Sequence, residues 1–173
     1  MKRKGHMRGG CGPRTAPGET LTMLIFAGVS LLIAIIVRFL AGSPRPAITY
    51  GNLSGIIPPV AVMTLLWMVW YILLGMAFGS VLYGRFCCNE VSRYKGGMLF
   101  VLMMSLGYVW YPLFFRAFAF FIALLICEAV LVLSFFVAVF FLRVRRLAGI
   151  VMLAFTAWMV FMTILNILAL FAV

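Results

Sequence analysis

Apolar residues fall in five long runs, Leu21 to Leu40, Ile56 to Tyr83, Met98 to Phe115, Ala117 to Leu142 and Leu147 to Val173, separated by short polar segments. Each run has the length that a helix needs to cross a bilayer core, about 20 residues at 1.5 Å per residue. None shows the strict apolar–polar alternation of a membrane β-strand, and in lipid only helices or closed barrels satisfy the backbone. The pattern therefore predicts an all-α membrane protein, a five-transmembrane-helix bundle over residues 21–173. Residues 1–20 are basic, Gly-rich and without apolar periodicity, and are expected to form a disordered tail. An odd number of crossings puts the two termini on opposite sides.

The second run carries the clearest internal order. Pro58 and Pro59 precede it, where a helix tolerates proline because its first N–H groups have no partner in the helix. Met63, Trp67, Tyr71, Gly75 and Gly79 then follow at steps of four and share one side. That side passes from rings to bare backbone, as expected of a face that meets a ligand at one end and a neighbouring helix at the other. Gly75 and Gly79 form a small-xxx-small pair suited to close packing within the bundle, with homodimer formation as the alternative. Trp70 lies off this side and is expected to face lipid. In the first run Arg38 is expected to snorkel to the interface.

Composition agrees with the pattern. Hydrophobic residues make up 66% of the 173 and charged residues 10%, against roughly a quarter charged in soluble domains. The net charge of +11 raises nucleic acid as a partner. The Lys and Arg residues, however, sit almost entirely in the tail and in the segments between runs, which is how membrane topology is written. The lipid bilayer is the expected partner, with no nucleic acid. By the same rule the N-terminus and the loops after the second and fourth runs face the cytoplasm. Cys11, Cys87, Cys88 and Cys127 lack metal-ligand spacing, and the one histidine, His6, lies in the tail. No metal site, cofactor or hydrolytic triad is expected. Glu128 falls near mid-membrane, where a charge costs ~3 kcal/mol or more. A proton relay would need further titratable groups at depth.

Three separated stretches resemble one family. Pro58-Pro59 followed by Trp67, Tyr71 and Gly75 is similar to the second-helix signature of the TspO/MBR family, the tryptophan-rich sensory proteins and peripheral-type benzodiazepine receptors (translocator proteins). Trp110-Tyr111-Pro112-Leu113-Phe114-Phe115 resembles its Trp-Ser-Pro-Leu-Phe-Phe, and Ala157 to Asn166 resembles its fifth-helix motif. Val144 and Leu147-Ala148 fall where the family has Val-Ser-x-Leu-Ala. The chain also departs from the pattern. Ala61 stands where a tryptophan is usual, Gly107 for an asparagine, Met103 for a glutamine and Ala154-Phe155 for Pro-Tyr. The acidic position of the fourth helix falls at Ile126. The proposed C-terminal sterol-recognition pattern has no match after Arg146.

The resemblance implies a five-helix bundle that binds a porphyrin (tetrapyrrole) or sterol between its helices for transport or sensing. It also implies a mitochondrial outer membrane in a eukaryote or the cell membrane in a bacterium. Flat apolar ligands favour ring faces and adaptable thioether walls. The expected ligand contacts are Met63, Trp67, Tyr71, Trp110, Phe114, Phe115, Trp158, Phe161, Leu165 and Asn166, with Trp158 foremost. Taken singly, each also fits helix packing or an interfacial belt. The departures at Ala61 and Gly107 predict a greasier pocket than usual, less selective for a carboxylated porphyrin. Two alternatives stand beside ligand binding: a light-dependent porphyrin-degrading enzyme, and a packing subunit whose pocket has decayed.

Overall fold

The computed structural model describes residues 17–41, 60–83, 90–115, 117 and 119–171. They form five α-helices: α1 (Pro17–Ala41), α2 (Val60–Tyr83), α3 (Glu90–Phe115), α4 (Phe120–Val144) and α5 (Arg146–Phe171). Each is long and apolar enough to cross a membrane. The expected starts at Ile56 and at Pro58-Pro59, the tail before Pro17, and Cys11, Cys87, Cys88 and His6 lie outside the described residues.

Two helix starts differ from expectation by a full turn or more. α1 begins a turn early, with Glu19 in its first turn. α3 begins at Glu90 rather than Met98, so the stretch expected to be a loop up to Gly97 is largely helix. The reason is the Gly96-Gly97 pair. It reads as a helix breaker, but a Cβ on Gly96 would stand 2.9 Å from Cβ of Phe140 and 3.2 Å from the Phe141 ring. Gly96 is thus a close-approach site that seats α3 on α4. The polar turns before it carry α3 beyond the apolar core. At the other end, Pro112 lies inside the last turn of α3. The chain then closes a tight corner into α4, with Ala117 N–H donating to Pro112 O at 3.1 Å and Ala119 N–H to Leu113 O at 3.2 Å.

The helices close a ring in which α1 packs on α2, α2 on α5, α5 on α4, α4 on α3 and α3 on α1. Small residues set the tightest seam. A Cβ on Gly75 would lie 2.5 Å from Phe26 O and 2.7 Å from Ala27 Cα, and one on Gly79 2.9 Å from Met23 Cα. The Gly75–Gly79 face is therefore covered by α1. Side-chain hydroxyls fasten other seams, as in Ser134 with Thr156 at 3.0 Å between α4 and α5. Tyr108 Oη donates to Ser30 O at 2.9 Å between α3 and α1. The interior is a continuous core in which Leu74, Met103, Phe141 and Met152 are almost fully buried. Leu24, Leu32, Val101, Phe135 and Ile150 are among the many large apolar side chains on the outside, as befits a surface whose solvent is lipid. This chain is an integral, multi-pass membrane protein.

Arg145, in the corner between α4 and α5, forms an ion pair with Glu19 of α1. Glu19 is 7% exposed, so loss of its charge leaves a guanidinium with no counter-ion in a largely desolvated corner. Glu19→Gln is expected to lower stability in detergent by ~2 kcal/mol, the scale of a hydrogen bond to a charged group. An unchanged melting temperature would show that the clasp contributes nothing.

Candidate functional site

At the end of the bundle where α1 and α3 finish and α2 begins, the four helices α1, α2, α3 and α5 leave a hollow of about 60 Å³. α2 supplies Met63, Trp67 and Tyr71 from its step-of-four stripe, with Thr64 and Met68 beside them. α3 contributes Tyr108, Trp110 and Tyr111, and α5 contributes Met162. α1 closes the remaining side with Ala34, Ile35, Val37 and Arg38. The lining is almost wholly apolar apart from hydroxyls and the one guanidinium.

Trp67 is the hub of an aromatic cluster. Its ring centroid lies 5.7 Å from Tyr71, 5.8 Å from Trp110, 6.4 Å from Phe155 and 6.3 Å from Trp158. Tyr71 stacks on Tyr108 at 5.1 Å, and Trp110 on Phe114 at 5.0 Å. Such contacts contribute ~0.5–1.5 kcal/mol each beyond area burial. Trp110 is further fixed by its indole N–H, which donates to Asn166 Oδ1 at 3.3 Å, while Asn166 Nδ2 donates back to Met162 O at 2.7 Å. Asn166 thus holds one wall in place from behind.

A second, deeper hollow of about 10 Å³ shares Trp67, Tyr71, Trp110 and Met162 with the first. Met103, Gly107 and Phe155, three of the positions that depart from the family pattern, line it. Apolar atoms have nearly closed this level. A Cβ on Gly107 would meet nothing within 4 Å. Gly107→Ala is therefore expected to stabilise the protein by ~1 kcal/mol through helix propensity, read as a raised melting temperature. A lowered one would mean that the space above Gly107 is smaller than it looks.

Met63, Trp67, Tyr71 and Trp110 meet at the hollow. The other expected contacts stand elsewhere. Phe114 lies behind Trp110 and against Phe120, Leu165 is buried in the core, and the side chain of Phe115 is outside the described residues. Trp158 backs Trp67 edge-on and touches Phe161 at 5.3 Å, while Phe161 itself is 37% exposed. The Trp158 indole N–H is buried without a hydrogen-bond partner. Trp70 is partly exposed and does not line the hollow; its inner side packs on α5, with Phe155 at 5.4 Å and Trp158 at 6.3 Å. Ala61 is exposed and is not among the residues that line the hollow.

Arg38 also departs from expectation. Instead of reaching outward, its guanidinium donates to the Tyr111 hydroxyl and lies 5.4 Å from that ring's centroid. Its position could have been read from the chain. Ala27, Ser30, Ala34, Arg38 and Ala41 recur at spacings of three and four, and Ala27, Ser30 and Ala41 are buried. This is a small-residue stripe turned inward, and Arg38 lies on it. Tyr108 and Tyr111, one turn apart on α3, were hidden by the attention that Trp110 attracts. Among the described residues no three His, Cys, Asp or Glu side chains come together to hold a metal.

Five apolar helices closed in a ring around an aromatic hollow define a class: polytopic membrane proteins with an intramembrane apolar cavity. The particular family follows from the sequence itself. The model of the TspO/MBR family matches residues 22–171, nearly the whole chain, and the protein belongs to that family. Comparison with curated proteins and with solved structures gives no significant match.

Proposed function

We propose that this protein binds a hydrophobic small molecule between its helices, for transport or sensing across the membrane it spans, with Trp67, Tyr71 and Trp110 as ring contacts. The supporting observation is the hollow at the α1–α2–α3–α5 end, where those three rings converge on a space with thioether walls. At about 60 Å³ it is well below the ~300 Å³ at which ligand pockets usually begin. A macrocycle or sterol enters only by displacing Met63, Met68 and Met162. Those side chains are unbranched and polarisable, and repack at small cost. Porphyrins and sterols are the ligand classes that the resemblance implies.

The same small volume favours a second reading, a packing subunit that holds no ligand. A screen of protoporphyrin IX and cholesterol for a rise in melting temperature in detergent separates the two. Binding at 100 times the dissociation constant would add ~2.7 kcal/mol to stability. No shift with any member of either class would favour the packing subunit. Porphyrin product formed under light and absent in the dark would instead favour the degrading enzyme, for which Trp67 and Trp110 are the nearest indoles to the hollow.

A further inference from the structure

The geometry points to an amphipathic acid as the ligand: an apolar body seated in the hollow, with one carboxylate taken by the Arg38 guanidinium beside the Tyr111 hydroxyl. This rests on the ligand-binding reading above and names its chemical class.

Arg38 is the one charged group among the residues lining the hollow. A guanidinium has five N–H donors in a planar fork. The partners it has here are the hydroxyl and ring face of Tyr111, which satisfy part of that fork but bring no negative charge to it. The chain has three acidic side chains in all, and none of them pairs with Arg38. Glu19 pairs with Arg145. Glu90 opens α3, 21 residues before Tyr111 and so about 30 Å down the helix. Glu128 belongs to α4, which packs on α3 and α5. Among the described residues the protein supplies Arg38 with no counter-ion.

A cation held at the wall of an apolar space attracts an anion strongly, because little water competes. A carboxylate matches the guanidinium fork with two parallel hydrogen bonds, where an alcohol or ester offers a single neutral acceptor. Tyr111, which also lines the hollow, holds the guanidinium at its wall. The shape of the space suits a slender body. An outer groove of about 290 Å³ between α1 and α3, lined by Leu40, Ala41, Val109 and Pro112, adjoins the hollow through Val37 and Tyr108. A chain anchored at Arg38 can extend along it toward the lipid. The polar anchor of this site therefore lies on α1, while the α3 positions Met103 and Gly107 line a closed apolar level.

The test compares all-trans-retinoic acid with its methyl ester, by quenching of tryptophan fluorescence in the detergent-solubilised full chain. The acid is expected to bind at least about tenfold more tightly than the ester, the effect of a charge-assisted hydrogen bond. That margin should vanish in Arg38→Gln, which keeps a donor for Tyr111 but no charge, and survive in Arg38→Lys. Equal binding of acid and ester by the wild type overturns the inference and leaves hydrophobic binding standing. So does a margin that persists in Arg38→Gln. Failure of both retinoids, together with the porphyrin and sterol of the earlier screen, overturns both readings. Should Arg38→Gln fail to fold, the wild-type margin and its retention in Arg38→Lys decide.

Discussion

Gly75→Ala is expected to cost the bundle ~2 kcal/mol or more. Two effects oppose each other. Replacing a mid-helix glycine by alanine gains ~1 kcal/mol of helix propensity. Against this, the new Cβ would stand 2.5 Å from Phe26 O and 2.7 Å from Ala27 Cα. Both are backbone atoms, so no rotamer change relieves the overlap and α1 must move as a body. Overpacking of this kind costs ~1–3 kcal/mol when side chains can adjust, and more when they cannot. The seam matters all the more because lipid is as apolar as the helices, so close packing replaces the hydrophobic effect as the force that joins them. A graded series makes the expectation specific. Gly79→Ala, with Met23 Cα at 2.9 Å and Thr22 O at 3.0 Å, should be milder. Gly28→Ala, with nothing within 4 Å, should be neutral or stabilising. Chemical unfolding in mixed micelles reads the order, and equal effects at Gly28 and Gly75 would contradict the placement of α1 on α2.

Ala34→Leu is expected to move stability and binding in opposite directions. Ala34 lines the hollow from α1, one turn before Arg38. A larger apolar side chain there fills empty space instead of displacing packed atoms. At ~24 cal/mol per Å³ of cavity, filling about 60 Å³ stabilises the ligand-free protein by at most ~1.4 kcal/mol. The same side chain occupies the space between Met63, Trp67 and Trp110 that a ligand would need. Affinity should fall at least tenfold, roughly another 1.4 kcal/mol. A residue that only packs would lose stability when changed, or leave both quantities alone. Gain of stability with loss of binding is the signature of a functional void.

How far the site was legible follows from what helical periodicity reports. Met63, Trp67 and Tyr71 stand four apart, and that spacing alone puts them on one face. Trp110 sits in a compact motif that the family resemblance singles out. Periodicity does not say which neighbour a face meets. α2 touches α1 through its glycines and α5 through Trp70, so a tryptophan off the main stripe packs on a second helix while staying partly exposed. For the same reason Trp158, first among the expected contacts, stands behind Trp67. Arg38 was missed because an arginine near a helix end ordinarily reaches for water. Its inward course depends on a hydroxyl 73 residues away, a contact that no local spacing encodes. Gly96 lies in a polar stretch between two apolar runs, where spacing gives no sign of a neighbouring helix. Only the nearness of Phe140 and Phe141 shows that α3 needs it.

The departures from the family pattern also take on physical meaning. Met103, Gly107 and Phe155 gather in the deep level beneath Trp67 and Trp110. They form one apolar closure, not scattered losses. Ala61 sits apart and exposed. The deep level is lined by apolar residues, and the hollow above it carries a cation at its wall. On the proposal above, selectivity for or against an acid is set on α1.

The account stands on an aromatic hollow that admits a guest. The most direct measurement is a tryptophan-quenching titration of the solubilised protein with protoporphyrin IX and with all-trans-retinoic acid, wild type beside Ala34→Leu. Saturable quenching by at least one of them in the wild type, weakened at least about tenfold in Ala34→Leu, is the predicted result. No saturable quenching in the wild type, or identical curves for the two proteins, would contradict it.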